Sequence, residues 1–389
     1  MRISSSGSTS SWINDIALRR CPLLPVCLLL ARRRPCLSSL TRNPENAVLI
    51  VCPNLAFDRT VSISSLRPGA VQRTGPASSV AGGKGANVAR AALALGGRTR
   101  VLGFLPDLGG GYLRQLFSAE GVTLLGVEVG GAVRTCTALV EDSGRVSLLN
   151  EPGPDVTDQD WRRLLDGVDP AERTVIGTGS LPPGAPVDGY AELITLVHSS
   201  GGECAVDAGG PALLAAATAG ADLLCPNLFE ATSALSDGAG TEVVDHVEGV
   251  DGDEGVDGVS GVDDVDRVRE PAGDIPERAM DAAVRLVARG AGRAAVTAGA
   301  AGVAFAGARV SLWLPAVLVT ARNPIGAGDS LLAGTALARE QGAGWMDAVR
   351  FGMATAASSV ENDRAGVVDA ARVAELAARL LAAHQIASA

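Results

Sequence analysis

The chain has 389 residues, 47% hydrophobic and 20% charged, a balance that excludes a largely disordered protein. Its formal net charge of −10 argues against nucleic acid as a partner, and no run reaches the roughly 18 apolar residues that cross a bilayer, so no membrane partner is expected either. Seven cysteines, an odd number with no Cys-x-x-Cys pair, point to a reducing, cytoplasmic compartment rather than a disulfide framework.

Residues 1–46 carry seven Arg against Asp15 and Glu45 and read as a disordered or non-native extension, with a transit-like leader as the alternative. Ordered pattern begins at residue 47 and runs to 389 as one domain. Val48-Leu49-Ile50-Val51 is a continuous apolar run, as expected of a strand buried on both faces. A helix over 86–95 follows, then strand 101–105, helix 112–120, strand 174–177, helix 187–198, strand 203–207, helix 211–219 and strand 222–225. This alternation predicts an α/β fold, a mostly parallel central sheet with helices on both faces. Two stretches break it: 59–79 and 126–150 read as β-ribbon, the second folded at Asp142-Ser143-Gly144, and together they predict a small β lid. Residues 236–274 hold thirteen acids against Arg267 and Arg269 and no aromatic side chain, and read as a disordered acidic insert. Beyond it come a helix over 276–289, strands over 293–297, 302–305 and 309–314 and helices over 326–341, 345–361 and from Asp369 onward.

The sharpest local signal is Asn323-Pro324-Ile325-Gly326-Ala327-Gly328-Asp329-Ser330, which opens a helix. Small residues let a ligand approach the backbone, and the free amides of a first helical turn favour an anion. Asp329 in the same turn is either a helix cap or a general base beside a transferring phosphoryl group. The second signal is compositional. Among 33 cationic side chains only Lys84 is a lysine, and it stands in Gly82-Gly83-Lys84-Gly85-Ala86-Asn87 at the head of another helix. A compact ammonium there points to a site that needs a point charge. No GxxxxGK[ST] occurs, so a P-loop is excluded.

Gly82–Gly97 and Gly326–Ser330 resemble the two signatures of the ribokinase-like, PfkB-type carbohydrate kinases. Four further segments fit in the same order: Asn54-Leu55-Ala56-Phe57-Asp58, Gly179-Ser180-Leu181-Pro182-Pro183-Gly184, Asn227-Leu228-Phe229-Glu230 and Thr297-Ala298-Gly299-Ala300-Ala301-Gly302. Arg134-Thr135 and Asn150-Glu151-Pro152-Gly153-Pro154 are similar to the branch that acts on sugar phosphates, the 1-phosphofructokinases and tagatose-6-phosphate kinases. Cys225, Pro324 and Leu55 stand where that pattern usually has Lys, Thr and Pro.

The resemblance implies an ATP- and Mg²⁺-dependent sugar-phosphate kinase. Fructose 1-phosphate phosphorylated at its 6-hydroxyl is the first candidate reaction, with a 6-phosphofructokinase or a tagatose-6-phosphate kinase as alternatives. It implies Asp329 as base and Gly326, Ala327 and Gly328 as the anion hole. Asp58, Gly83, Asn87 and Ser180 would hold sugar hydroxyls, and Lys84 and Arg134 the phosphate already on the sugar. Thr297, Gly299, Gly302 and Gly328 would line the ATP phosphates, while Asn227 and Glu230 would order Mg²⁺ through water. A homodimer paired through the β lid is also implied. Outside catalysis, the alternatives are a sugar-phosphate sensor on the same fold and a scaffold whose acidic insert recruits a partner.

Overall fold

The computed structural model describes residues 47–236 and 274–387. The N-terminal extension over 1–46 and nearly all of the acidic insert lie outside the described residues.

The main sheet has nine strands in the order β13-β12-β11-β10-β9-β8-β1-β4-β5. Its parallel part runs from β5 (Thr123–Ala132) through β4 (Thr99–Leu108), β1 (Val48–Val51), β8 (Thr174–Thr178), β9 (Glu203–Asp207) and β10 (Leu223–Leu224) to β11 (Arg293–Ala298). Two antiparallel strands, β12 (Gly302–Gly307) and β13 (Val310–Pro315), close one edge. The predicted α/β architecture is what the chain forms.

Strand periodicity divides the core. On β1, Val48 and Ile50 enter one apolar cluster and Leu49 and Val51 the other, because successive side chains leave opposite faces of the sheet. The first cluster is covered by α1 (Lys84–Ala94), α2 (Gly110–Ala119), α8 (Ala327–Glu340), α9 (Trp345–Val360) and α10 (Ala370–Ala387). The second is covered by α3 (Asp158–Asp166), α4 (Gly189–Ser199), α5 (Gly210–Thr218), α6 (Leu228–Leu235) and α7 (Ile275–Ala288).

Helix α3 is additional to the elements read from the sequence. Thr157 and Asp160 form its capping box, and only Trp161 and Leu164 are buried from it.

A second sheet of four strands, in the order β3-β2-β6-β7, stands apart from the first. It consists of β2 (Ala56–Ile63), β3 (Ser78–Gly82), β6 (Arg134–Glu141) and β7 (Val146–Asn150). The ribbon expected over 126–150 is therefore divided. Residues up to Ala132 belong to β5, which pairs in parallel with β4 as the edge of the main sheet, and only the hairpin β6–β7 joins the lid. The hairpin turns at Gly144, whose φ of +83° is the left-handed backbone that the predicted Asp142-Ser143-Gly144 turn calls for.

The chain leaves β1 for the lid and then for β4 on one side, and later adds β8 and β9 on the other. In open parallel sheets such a reversal opens a crevice at the carboxyl ends of the strands. Thr178 ends β8, Asp207 ends β9, and Cys52 to Asn54 follow β1 at that edge.

Candidate active site

Three segments supply the chemistry at this edge: the turn Gly82–Gly83 into α1, the end of β9 with the start of α6, and the entrance to α8. Gly83 caps α1 at φ +89°, and a Cβ built on Gly82 would lie 2.3 Å from the Asp58 Oδ1, so only glycine lets that carboxylate rest on the turn. The Gly83 N–H donates to Asp58; burial nonetheless raises the Asp58 pKa above the usual carboxylate value.

Helix α8 begins at Gly326, φ +79°, with Asp329 three residues in and its side chain making no capping bond. A Cβ on Gly328 would meet nothing within 4 Å, so this turn opens on free space. Ala327 and Gly328 belong to the first turn, whose amides have no partner within the helix. Asp329 is 6% exposed, and its Oδ2 accepts from the Asn87 Nδ2 at 2.8 Å. Burial pushes its pKa up to about 7 against the pull of Lys84; Asp207 adds to the rise, the Asn87 hydrogen bond opposes it, and Glu230 adds again. The carboxylate is thus held by a side-chain amide beside an ammonium and two further acids, and is not spent on capping.

The Lys84 Nζ lies 3.1 Å from the Asp207 Oδ1 and 2.9 Å from the Glu230 Oε1. Burial lowers the lysine's pKa, but the two carboxylates outweigh it and the ammonium is raised above its ordinary value. Burial raises Asp207 despite Lys84, with Glu230 adding to the effect. Glu230 has a second task. Its Oε2 accepts from the Asn227 N–H at 2.9 Å, while its own N–H donates to the Asn227 Oδ1 at 2.7 Å, a capping box that starts α6.

The two cations assigned from sequence to the sugar's own phosphate have different partners. Lys84 faces Asp207 and Glu230, whereas Arg134 donates from Nε and Nη2 to the Asn54 carbonyl and from Nη1 to the Glu151 carbonyl. Asn54 is buried, and its Nδ2 reaches the Pro152 carbonyl at 2.9 Å and the Ser180 Oγ at 3.0 Å. Asn54, Ser180, Arg134 and the 151–153 loop therefore form one hydrogen-bonded rim between the sheets. On the other side, Thr297 forms a bridge with Asn227 and donates to the Pro226 carbonyl. A single 3₁₀ turn, Gly299–Ala301, follows it, closed by Gly302 at φ +140°, where a Cβ would lie 2.3 Å from the Leu314 carbonyl oxygen. Cys225 is buried, with its thiol pKa raised by burial, and the Pro324 carbonyl accepts from the Ala327 N–H in the turn before α8.

Sequence reasoning did not single out Asp207 or Arg90. The signal for Asp207 was present: a carboxylate ending a buried parallel strand, immediately before Ala208-Gly209-Gly210. Arg90 lies in the interior of α1, where an arginine ordinarily faces solvent.

An aspartate at a glycine-lined helix entrance, a lysine between two acids, and a lid above them invite comparison with known enzymes. The chain matches the pfkB family of carbohydrate kinases over residues 54–252 and 260–370. It belongs to that family. Among relatives, it is 30% identical over 315 residues to a 1-phosphofructokinase of Haloferax volcanii, a match covering 80% of this chain and 90% of the other. It is 30% identical over 293 residues to a 1-phosphofructokinase of Rhodobacter capsulatus, covering 74% and 82%. Among solved structures it resembles Escherichia coli phosphofructokinase-2 in complex with fructose-6-phosphate, with TM-score 0.70, 23% identity, and 86% and 99% coverage. Arabidopsis thaliana ribokinase complexed with ribose and ATP also resembles it, with TM-score 0.63, 20% identity, and 85% and 98% coverage. These two likenesses are of fold. Membership in the pfkB family makes the chain a carbohydrate kinase, a phosphotransferase with ATP as co-substrate.

Proposed function

We propose that this pfkB-family kinase is a 1-phosphofructokinase, transferring the terminal phosphoryl group of ATP to the 6-hydroxyl of fructose 1-phosphate. The observation that carries the reading is Asp329: buried, held by Asn87, and seated in a first helical turn that opens on free space. The 1-phosphofructokinase relatives, matched along most of their length, favour fructose 1-phosphate among sugar phosphates.

In this reading the Asp329 carboxylate takes the hydroxyl proton as the sugar oxygen bonds to the terminal phosphorus. The bond from that phosphorus to the bridging oxygen breaks, and ADP leaves with the electron pair. Little covalent work falls to the protein; catalysis lies in placing the two oxygens in line and stabilising the charge on the group between them. The amides of Gly326 and Gly328 serve as the anion hole; the Ala327 amide, expected there too, is instead turned to the Pro324 carbonyl. Asp58, Gly83, Asn87 and Ser180 hold the sugar, and Arg134 serves its phosphate by way of the rim it ties together. Thr297, Gly299 and Gly302 border the nucleotide phosphates.

Mg²⁺ fits this site through water. Among the described residues no three His, Cys, Asp or Glu side chains form a direct metal cage, and both Glu230 oxygens already have partners. Mg²⁺ keeps several waters and takes its remaining contacts from substrate phosphates, so Asp207 and Glu230 would order its water shell. When bound it neutralises charge on the ATP phosphates.

We further read the molecule as cytoplasmic and as a homodimer paired through the lid, whose strand β7 leaves Leu149 59% exposed and Leu148 39% exposed. Among the described residues no helix is long and apolar enough to cross a membrane.

The test is ADP release measured with ATP and a panel of acceptors: fructose 1-phosphate, fructose 6-phosphate, tagatose 6-phosphate, fructose and ribose. The expected result is the highest kcat/KM with fructose 1-phosphate. Preference for either 6-phosphate reassigns the substrate, equal rates with unphosphorylated sugars remove the phosphate site, and no turnover with any of them favours a binding protein.

A further inference from the structure

Arg90, half-buried on α1, makes four hydrogen bonds through its guanidinium. Its Nε donates to the Glu120 Oε2 at 2.9 Å, and Nη2 lies 2.9 Å from the same oxygen and 3.0 Å from the Ala81 carbonyl. Its Nη1 donates at 2.8 Å to the Ala365 carbonyl and at 2.8 Å to the Asn87 Oδ1. Those are four hydrogen bonds and one ion-pair contact from a single guanidinium.

We infer that Arg90 is a positioning residue for the reaction: it fixes the Asn87 amide so that Nδ2, and not Oδ1, faces Asp329.

The argument is one of donor and acceptor types. An asparagine amide can flip by half a turn with little change in shape, and only its partners decide which end faces where. Arg has donors and no acceptor, so the Asn87 atom against Nη1 must be the oxygen. The nitrogen is then turned to the Asp329 Oδ2, 2.8 Å away. In the flipped state two donors would meet at Arg90 and two acceptors at Asp329, the second in a buried site where unpaired polar atoms are costly. Arg90 thereby removes an alternative that Asn87 alone could adopt, and leaves the Asp329 Oδ1 to the substrate hydroxyl.

The same guanidinium holds two backbones that border the site. Ala81 is the penultimate residue of the lid strand β3, next to Gly82-Gly83, and Ala365 lies against Gly326, its Cβ 3.0 Å from where a Cβ on that glycine would stand. Glu120 anchors Arg90 from α2 and is shared with Arg364. Lid root, sugar-side amide and helix entrance thus meet on one side chain.

This inference rests on Asp329 being the base, and the experiment separates the two. The groups that act on Asp329 are Lys84 and Asn87 from α1, Asp207 from β9 and Glu230 from α6, with the Cys52 thiol also nearby. None is altered by changing Arg90. The measurement is the titration of Asp329 followed by carboxyl ¹³C signals in aspartate-labelled protein, assigned by the signal lost in Asp329→Asn. Alongside it run the acid limb of kcat/KM and the melting temperature. Arg90→Met should raise the Asp329 titration by about one pH unit, the worth of one hydrogen bond to a charged acceptor, and move the acid limb with it. It should lower kcat about 10²-fold. In the Asn87→Ala background the same change should leave the titration where Asn87→Ala has put it. Arg90→Lys keeps one donor for the Asn87 Oδ1 while giving up the fork, so it should melt lower than the parent yet titrate with it. An unmoved titration in Arg90→Met, simple addition of the two shifts, or a titration that follows the melting temperature in Arg90→Lys overturns the inference. If instead the titrations behave as stated but the parent releases no ADP, the positioning role stands and the kinase reading fails.

Discussion

A free aspartate has lost its proton well before neutral pH, whereas burial is the chief cause that raises Asp329 to about 7. Two predictions follow from that one value. First, a base must be ionised to accept a proton, so kcat/KM should rise with pH through about 7 and flatten above it, measured as initial ADP release from pH 5.5 to 8.5. Second, the folded state holds this proton more tightly than the unfolded chain does. Its contribution to stability is therefore complete below about pH 4 and is lost as pH rises toward 7. Asp329→Asn does not titrate, so relative to the parent it should gain on the order of 1–4 kcal/mol between those limits, read from urea unfolding at pH 4.5 and pH 8. Lys84, Asn87 and Asp329 were legible in the sequence because glycines flank them and mark close backbone approach. Arg90 was not: it sits inside a helix, and only the tertiary fold brings it to the Asn87 amide, whereas Asp207 carries a weaker signal as the carboxylate that ends an apolar strand before a glycine turn.

The elements show why local pattern reads some boundaries and misses others. Strand β1 is buried on both faces and announces itself as four apolar residues in a row, and α8 begins at a glycine turn that also holds Asp329. Helix α3 has no such signature. Five of its nine residues, Asp158, Gln159, Arg162, Arg163 and Asp166, are exposed, and Trp161 and Leu164, with Leu165 beside them, bind it to the core. Its start depends on the Thr157–Asp160 box, so Thr157→Ala should lower stability by about 1 kcal/mol with kcat unchanged, by denaturant melts and the ADP assay. Removing the corresponding box on α6 has a different consequence, because Glu230 also meets Lys84. Asn227→Ala should cost about the same stability and in addition raise the KM for ATP, since the freed glutamate no longer holds the lysine and the water shell in register. Strand β5 was misassigned to the lid for a plain reason. It alternates like a ribbon at its exposed end, yet it pairs in parallel along β4, and partner choice is not written in periodicity.

At the scale of the molecule, two sheets do different work. The nine-stranded sheet fixes the carboxyl ends of β8, β9 and β10 and the entrance to α8, while the four-stranded one carries Asp58 and Arg134 over them. Class and layering were legible because a parallel sheet demands apolar strands alternating with helices. Leu149→Lys should shift sedimentation toward monomer if β7 is a dimer surface, and leave it unchanged otherwise. The account as a whole is tested most directly by comparing the parent with Asp329→Asn at pH 8, following both ADP release and fructose 1-phosphate binding. It predicts a kcat lower by about 10²–10⁴ in the variant with sugar-phosphate affinity retained. Turnover in Asp329→Asn within a few-fold of the parent would contradict it.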